Sequence, residues 1–182
     1  MSPRGLVLRV FCLLCAPVAA AAAGGFAFKG IELGSGIAAV ANNPRYECRT
    51  ANAPAADTIC GLRPRERETI AGAPVRSIFF FYYDGRLTSI SLHVDEPRFA
   101  EVVEALGGKY GESAVARETL RNLKGVAFEN HTHTWKTATQ TLFARRYSGR
   151  VDQSLIRYTD DDAMRRIEAA RAAVAKDPRK DL

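Results

Sequence analysis

The sequence predicts an α+β fold: an antiparallel sheet with helices on one face and a further helix at the C-terminus. Two observations predict it. Two β-rich runs flank Asp84-Gly85, the strongest short-range hairpin signal a sequence offers. Segments with helical apolar spacing, after Pro97 and after Asp160, alternate with runs of strand-like residues. Helices segregated to one side of antiparallel strands define this class.

The chain starts Met1-Ser2-Pro3-Arg4, continues through an apolar run from Leu6 to Cys15, and reaches an alanine-rich stretch ending at Gly24-Gly25. A basic start, a short apolar core and small residues are the layout of a secretory leader, expected over residues 1–23 with cleavage after Ala21 or Ala23. The run is too short, and broken by Arg9, to cross a bilayer as a stable helix. Cys12 follows Phe11 and Cys15 follows Leu14, so neither has the small predecessor that a lipid anchor needs. Residues 24–160 then form one domain, and residues 161–182 a terminal helix and tail. The expected location is periplasmic or secreted, and no later segment is read as membrane-spanning. The formal charge of +6 is mildly basic; with an exported chain it gives no reason to expect nucleic acid as a partner.

Within the domain, residues 26–34 alternate as a first strand. Ser35 is placed to cap a short helix that Asn42-Asn43-Pro44 stops. Cys48 and Cys60, the pair left after leader removal, read as a disulfide closing an irregular loop rich in Ala, Asn, Pro and Asp. Their spacing is unlike the Cys-x-x-Cys of a working thiol pair. The charged run 63–68 reads as a solvated connector. Residues 75–83 and 86–94 form the hairpin; strict pairing opposes Tyr83 to Arg86 and Phe79 to Ile90. The core face then carries Val75, Phe79, Phe81, Ile90, Leu92 and Val94.

Pro97 opens a helix whose Phe99, Val102, Val103, Leu106 and Tyr110 share a side, ending at Gly107-Gly108 or Gly111. Residues 120–124 connect to a meander with strands at 126–135, 140–147 and 153–158. Asp160-Asp161-Asp162 caps the last helix, where acidic residues suit the positive end of the dipole. Met164, Ile167, Ala170 and Val174 give it a weak apolar side, and Asp177-Pro178 ends it. Helix followed by antiparallel strands occurs twice, which suggests tandem units at 26–94 and 95–160.

Residues Phe28-Lys29-Gly30-Ile31-Glu32-Leu33-Gly34, Tyr82-Tyr83-Asp84-Gly85-Arg86-Leu87 and Lys109-Tyr110-Gly111 resemble small periplasmic proteins of Gram-negative bacteria without an assigned activity. In element order the chain is similar to the helix-plus-hairpin units of β-lactamase inhibitor protein and of small outer-membrane-assembly lipoproteins. The resemblance implies a protein-binding module rather than an enzyme, and it assigns no functional residue.

No Gly-x-Ser-x-Gly or Ser-x-x-Lys occurs, no catalytic residue is singled out, and no cofactor is expected. The expected function is a non-enzymatic, protein-binding or envelope-associated module, with another envelope protein as partner. Its contact surface is expected on the strip Ile78, Phe80, Tyr82 and Leu87, apolar residues in excess of what one sheet face needs. The alternative is a metal-binding protein or metallo-enzyme using His131 and His133, two residues apart on one strand, with His93 from the hairpin. Arg145, Arg146, Arg150 and Arg157 form a basic set around the meander.

The leader and the bridge together predict the mass of the mature chain. Intact-mass measurement under non-reducing conditions is expected to show a chain starting at Ala22 or Gly24 and lacking two hydrogens at Cys48 and Cys60. A chain retaining Met1, or one with two free thiols, contradicts the reading.

Overall fold

The computed structural model describes residues 24–53, 55–122 and 124–175; the expected leader and residues 176–182 lie outside them. Eleven strands and three helices follow in chain order: β1 (Ala27–Phe28), β2 (Ile31–Glu32), α1 (Ala38–Ala41), β3 (Tyr46–Ala53), β4 (Ala56–Leu62), β5 (Thr69–Ile70), β6 (Ala73–Tyr83), β7 (Arg86–Asp95), α2 (Phe99–Tyr110), β8 (Ala114–Arg121), β9 (Ala127–Lys136), β10 (Gln140–Arg145), β11 (Gln153–Asp160) and α3 (Asp161–Ala175). The expectation of a mixed α+β chain with an antiparallel sheet and a C-terminal helix is met.

Two of the tight turns, β6–β7 and β1–β2, follow from local chemistry, and the Ala71-Gly72 turn between β5 and β6 has the same form, with φ of 49° and 77°. Asp84 and Gly85 have φ of 49° and 68°, and Lys29 and Gly30 have φ of 49° and 81°. Left-handed conformation at both central residues matches the strand twist of a two-residue hairpin. The β1–β2 hairpin is therefore a pair of two-residue strands rather than the single strand expected over 26–34. Ser35 does not cap α1, which starts after Ile37 without a side-chain cap.

The sheet runs β3-β4-β6-β7-β11-β10-β9-β8, with β5 paired to β6. Two antiparallel meanders thus meet where β7 pairs with β11, and the hydrogen-bonded sheet is continuous across that join. The segment around the cysteines is no irregular loop. It is the β3–β4 hairpin, with Cys48 directly opposite Cys60 and bonded to it. A closed loop of this length restricts the unfolded chain by about 3 kcal/mol in the chain-entropy account. Strand β8 was not expected; its sequence Ala-Val-Ala-Arg-Glu-Thr-Leu-Arg pairs residue for residue with β9.

The central hairpin has the expected turn and an unexpected register. Tyr83 pairs with Arg86 and Tyr82 with Leu87, but Phe81 pairs with Ser89, so Thr88 is looped out as a bulge. Its hydroxyl donates to the Phe81 carbonyl at 3.0 Å. A second bulge at Arg76 lies between the Val75–Val94 and Ser77–His93 pairs. Each extra residue shifts the alternation by one, which turns every following side chain to the other face. Val75, Ile78, Phe80 and Tyr82 consequently share a face with Leu87, Ile90, Leu92 and Val94. The expected core face is corrected: Phe79 and Phe81 lie on the other side.

The core face is covered by β1–β2, α1 and α2. Phe28, Val40, Phe99, Val102 and Leu106 pack with Phe80, Tyr82, Ile90, Leu92, Leu142, Ile156 and Tyr158. Phe99, Val102 and Leu106 recur at the spacing that puts them on one side of α2. Gly111, at φ 86°, turns the chain out of this helix. Its carbonyl accepts the Trp135 Nε1–H at 2.8 Å, tying the helix end to β9. Asp160 Oδ1 accepts the Ala163 N–H at 2.8 Å and caps α3 as expected. Helix α3 lies on the opposite face, where Met164 lines a cleft with Phe81, Ser89 and Thr159, Arg171 donates to the Ala53 carbonyl at 2.9 Å, and Ile167 is buried. Among the described residues no helix is long and apolar enough to cross a membrane.

Two substitutions test the register. Phe80→Ala is expected to cost about 3–5 kcal/mol, a buried aromatic lost from a packed core. The Tyr82 hydroxyl is buried without a hydrogen-bond partner, and burial pushes its pKa up to about 12. Tyr82→Phe is therefore expected to stabilise the fold by about 1 kcal/mol. Urea unfolding reads both; a Tyr82→Phe variant markedly weaker than wild type would contradict the placement.

Candidate binding surface

The strip expected to bind a partner is in the core. Ile78 is 1% exposed, and Phe80, Tyr82 and Leu87 are 0% exposed. With Thr88 looped out, these four face α1, α2 and the N-terminal hairpin, so the surface assignment is corrected.

The histidines divide between the two faces. Opposed residues in antiparallel strands point the same way, and Leu92, Ile156, Ala144 and His133 form one continuous row. His131 and His133 therefore lie on the core side. The row of His93, Leu155, Arg145 and Thr132 lies on the other. The sheet itself separates His93 from the pair, so the three-histidine set is not assembled. Among the described residues no group of three or more His, Cys, Asp or Glu is placed to hold a metal. His131 and His133 instead line a cleft beside Phe99 and Val103, closed at one end by the Arg146–Glu96 ion pair at 2.5 Å. His131 Nε2 lies 3.4 Å from Glu129 Oε1 without hydrogen-bond geometry.

His133 Nδ1 is 3.0 Å from Ser113 Oγ, and His93 Nδ1 is 3.1 Å from Ser77 Oγ. Neither ring has a carboxylate on its other nitrogen among the described contacts, so the orienting group of a serine-activating base is missing from both pairs.

The basic set also separates. Arg146 pairs with Glu96 on the core side, and Arg150 with Asp152 at 2.8 Å. Arg145 and Arg157 are on the open face. Arg145 lies over the Phe143 ring at 5.8 Å, a cation–π arrangement. Arg157 is half-buried with Nε unpartnered.

Helix α3 covers part of this outer face, near Phe81, Ser89 and Thr159, and leaves the rest open. One row reads Glu47, Gly61, Phe79, Ser91, Arg157, Phe143 and Thr134; the next brings Ile59, Phe81, Ser89, Thr159 and Thr141 into line. Phe79, Phe81 and Phe143 are half-buried, while Ser89 and Ser91 are buried among their neighbours. Phe79 and Phe81 stand 6.3 Å apart, ring to ring. At one end the face deepens into a cleft of about 660 Å³, floored by Ile59, Gly61 and Phe79 and bordered by Arg49, Arg65, Arg67 and the Arg76–Asp95 pair.

The wall of this cleft is the run read from sequence as a solvated connector. Arg63 Nε donates to the Tyr46 carbonyl at 3.1 Å, and the Arg63 N–H to the Arg45 carbonyl at 2.9 Å. Glu68, 4% exposed, accepts from Lys29, from the Tyr46 hydroxyl at 2.7 Å, from the Thr69 N–H at 2.9 Å and from Arg45 at 3.3 Å. Burial alone raises its pKa, but the bonds from Lys29, Tyr46 and Thr69 outweigh that and hold the carboxyl below its ordinary value. Burial, with the same carboxylate, raises Tyr46 well above the usual phenol. The sequence signal that could have exposed the cleft is Arg63-x-Arg65-x-Arg67 beside a buried Glu68, but period-two charge alone does not tell a wall from a linker.

No family model matches the chain, and no curated protein or solved structure matches it either.

Acid sensitivity follows from the two serine-bonded histidines. Burial, then Arg157, holds His93 below the usual 6.5; burial, then His131 and Arg117, does the same to His133. As pH falls, the unfolded chain takes up these protons first, so stability is full above about pH 6.5 and declines below it. Glu68 acts in the same direction in a lower window: its stabilisation is present above about pH 4.5 and is lost on further acidification. His93→Gln/His133→Gln is expected to flatten the urea midpoint between about pH 6.5 and 5 while leaving the lower step intact. An unchanged slope in the double variant contradicts this.

Proposed function

We propose that this chain is an exported, non-enzymatic binding module whose partner is another envelope protein, engaged through the open face of the sheet. The observation that carries the reading is the composition of that face: Phe79, Phe81 and Phe143 remain half-exposed beside Arg49, Arg145 and Arg157. Aromatic residues and arginine are the types enriched where proteins meet, since they supply rigid contact area and fixed donor forks at small entropic cost. The Cys48–Cys60 bridge supports the exported location, because such bonds persist in oxidising compartments. The two meanders, with the segments before them, support reading residues 26–94 and 95–160 as tandem halves that together extend one contact face.

The test is capture from an envelope extract by wild type and by Phe79→Ser/Phe143→Ser, with circular dichroism and thermal melting as fold controls. Both positions are off the core, so the double variant is expected to keep its melting temperature within a few degrees, about 1 kcal/mol, and to lose the partner. Retention of the same partner by a folded double variant would place the contact elsewhere.

A further inference from the structure

We infer that the arginine-bordered cleft at the β3–β4–β6 end of the open face receives an extended acidic segment of the partner protein. The inference rests on the reading of that face as the contact surface and names the chemistry that enters it.

Five arginines border the cleft, and they are not equivalent. Arg63 is spent on the Tyr46 carbonyl, and Arg76 is paired with Asp95 and Asp152. Arg49, Arg65 and Arg67 are exposed and have no ion pair or hydrogen bond among the described residues. The carboxylates in the lining are Glu47, Glu66 and Asp95; Glu66 is held by Arg45 and Asp95 by Arg76, so only Glu47 offsets the three free guanidinium groups. The cleft is therefore electropositive, and a cleft with low-dielectric walls concentrates such a field.

The wall that presents two of these arginines is fixed in place. Arg65 sits at φ 73°, a conformation a side-chain-bearing residue adopts at a cost. Glu66 N–H bonds back to the Arg63 carbonyl at 3.1 Å, and the following Glu68 is anchored in the core. Arg65 and Arg67, both exposed, therefore project from an anchored wall rather than from a free linker. The guanidinium fork matches carboxylate geometry in a two-point contact.

The floor decides between kinds of anion. Ile59 and Phe79 are half-buried and apolar, so an occupant needs an apolar side chain between its acidic ones. An extended peptide supplies both, with side chains alternating from one face to the other. The cleft is also continuous, through Phe79 and Phe81, with the rest of the open face, so one partner can occupy both.

The test is an amide-shift titration of ¹⁵N-labelled protein with a nonapeptide that carries Glu on either side of a central Leu, and with its Gln counterpart. Expected are shifts at the Ile59, Gly61 and Phe79 amides with the Glu peptide, weakened as salt rises from about 50 to about 300 mM. The Gln peptide and the Arg49→Gln/Arg65→Gln/Arg67→Gln variant are each expected to bind at least about tenfold more weakly. Arg117→Gln/Arg121→Gln, on the far edge, is expected to behave as wild type. Shifts confined to other parts of the chain, equal binding by the triple variant, or binding to phosphatidylglycerol vesicles in place of the peptide would overturn the inference. If the triple variant still captures the envelope partner while Phe79→Ser/Phe143→Ser does not, the contact face stands and the acidic segment falls.

Discussion

Phe80 stands opposite Ile90 only because Thr88 is looped out of β7, and the packing of the sheet depends on that register. The same row continues outward in both directions: Cys48, Cys60, Phe80, Ile90, Tyr158, Leu142 and Trp135 oppose one another across seven strands. The row joins the disulfide at one end to the Trp135–Gly111 bond that holds α2 at the other. Without the Thr88 bulge, the faces of β6 and β7 fall out of phase, and either Leu87 or the Ile90–Val94 run turns to solvent. One unpaired residue is a small cost against several buried aliphatic side chains, each worth about 1.5–3 kcal/mol.

The features legible in the sequence are those with local causes. Asp84-Gly85 marks a turn because few residues accept φ above zero at two successive positions. The apolar spacing from Phe99 to Leu106 marks α2 because one side must meet the sheet. The capping carboxylate at Asp160 marks α3 because free N–H groups need an acceptor. What was not legible depends on neighbours distant in sequence. Strict alternation put Phe79 on the core side, and nothing within residues 75–94 announces that Thr88 and Arg76 leave the ladder. Strand β8 is exposed along nearly its whole length, and its apolar residues Ala114, Val115, Ala116 and Leu120 do not alternate in the way by which a strand is read. The cysteine segment reads as loop from its Ala, Asn and Pro, yet pairing with β6 makes it a strand pair. The site suffered most from this, since a one-residue slip exchanged the buried strip for the exposed one.

Glu68 links the two sides of the architecture. Its carboxylate gathers Lys29 from the N-terminal hairpin, Tyr46 from the edge strand and its own neighbour's N–H, while Arg45 spans Glu66 and Glu68. A buried charge this fully bonded is expensive to strip of one partner, because the remainder is left desolvated and unpaired. It therefore fixes where the chain between β4 and β5 lies, and with it the spacing of the cleft arginines. The wall of the candidate site is in this sense an outgrowth of the core.

An open sheet offers two routes to association, through its edges or through its face, and the charge pattern separates them. At the β8 edge, a second copy adding antiparallel about a two-fold axis must oppose residues of the same facing. Registers centred on the strand bring Arg117 against Arg117 or Glu118 against Glu118, and like charges directly opposite are unfavourable. Such charges on an edge are the usual protection against strand addition. At the other edge, β3 carries Glu47 and Arg49 and is flanked by α1. The face has no such like-charge protection: its phenylalanines are only half covered, and Arg49, Arg65 and Arg67 at the cleft have no ion pair among the described residues. Charge that repels a copy of the same chain at the edge, and suits the proposed acidic partner at the face, would let a sheet whose outer side α3 covers only in part bind without stacking on itself.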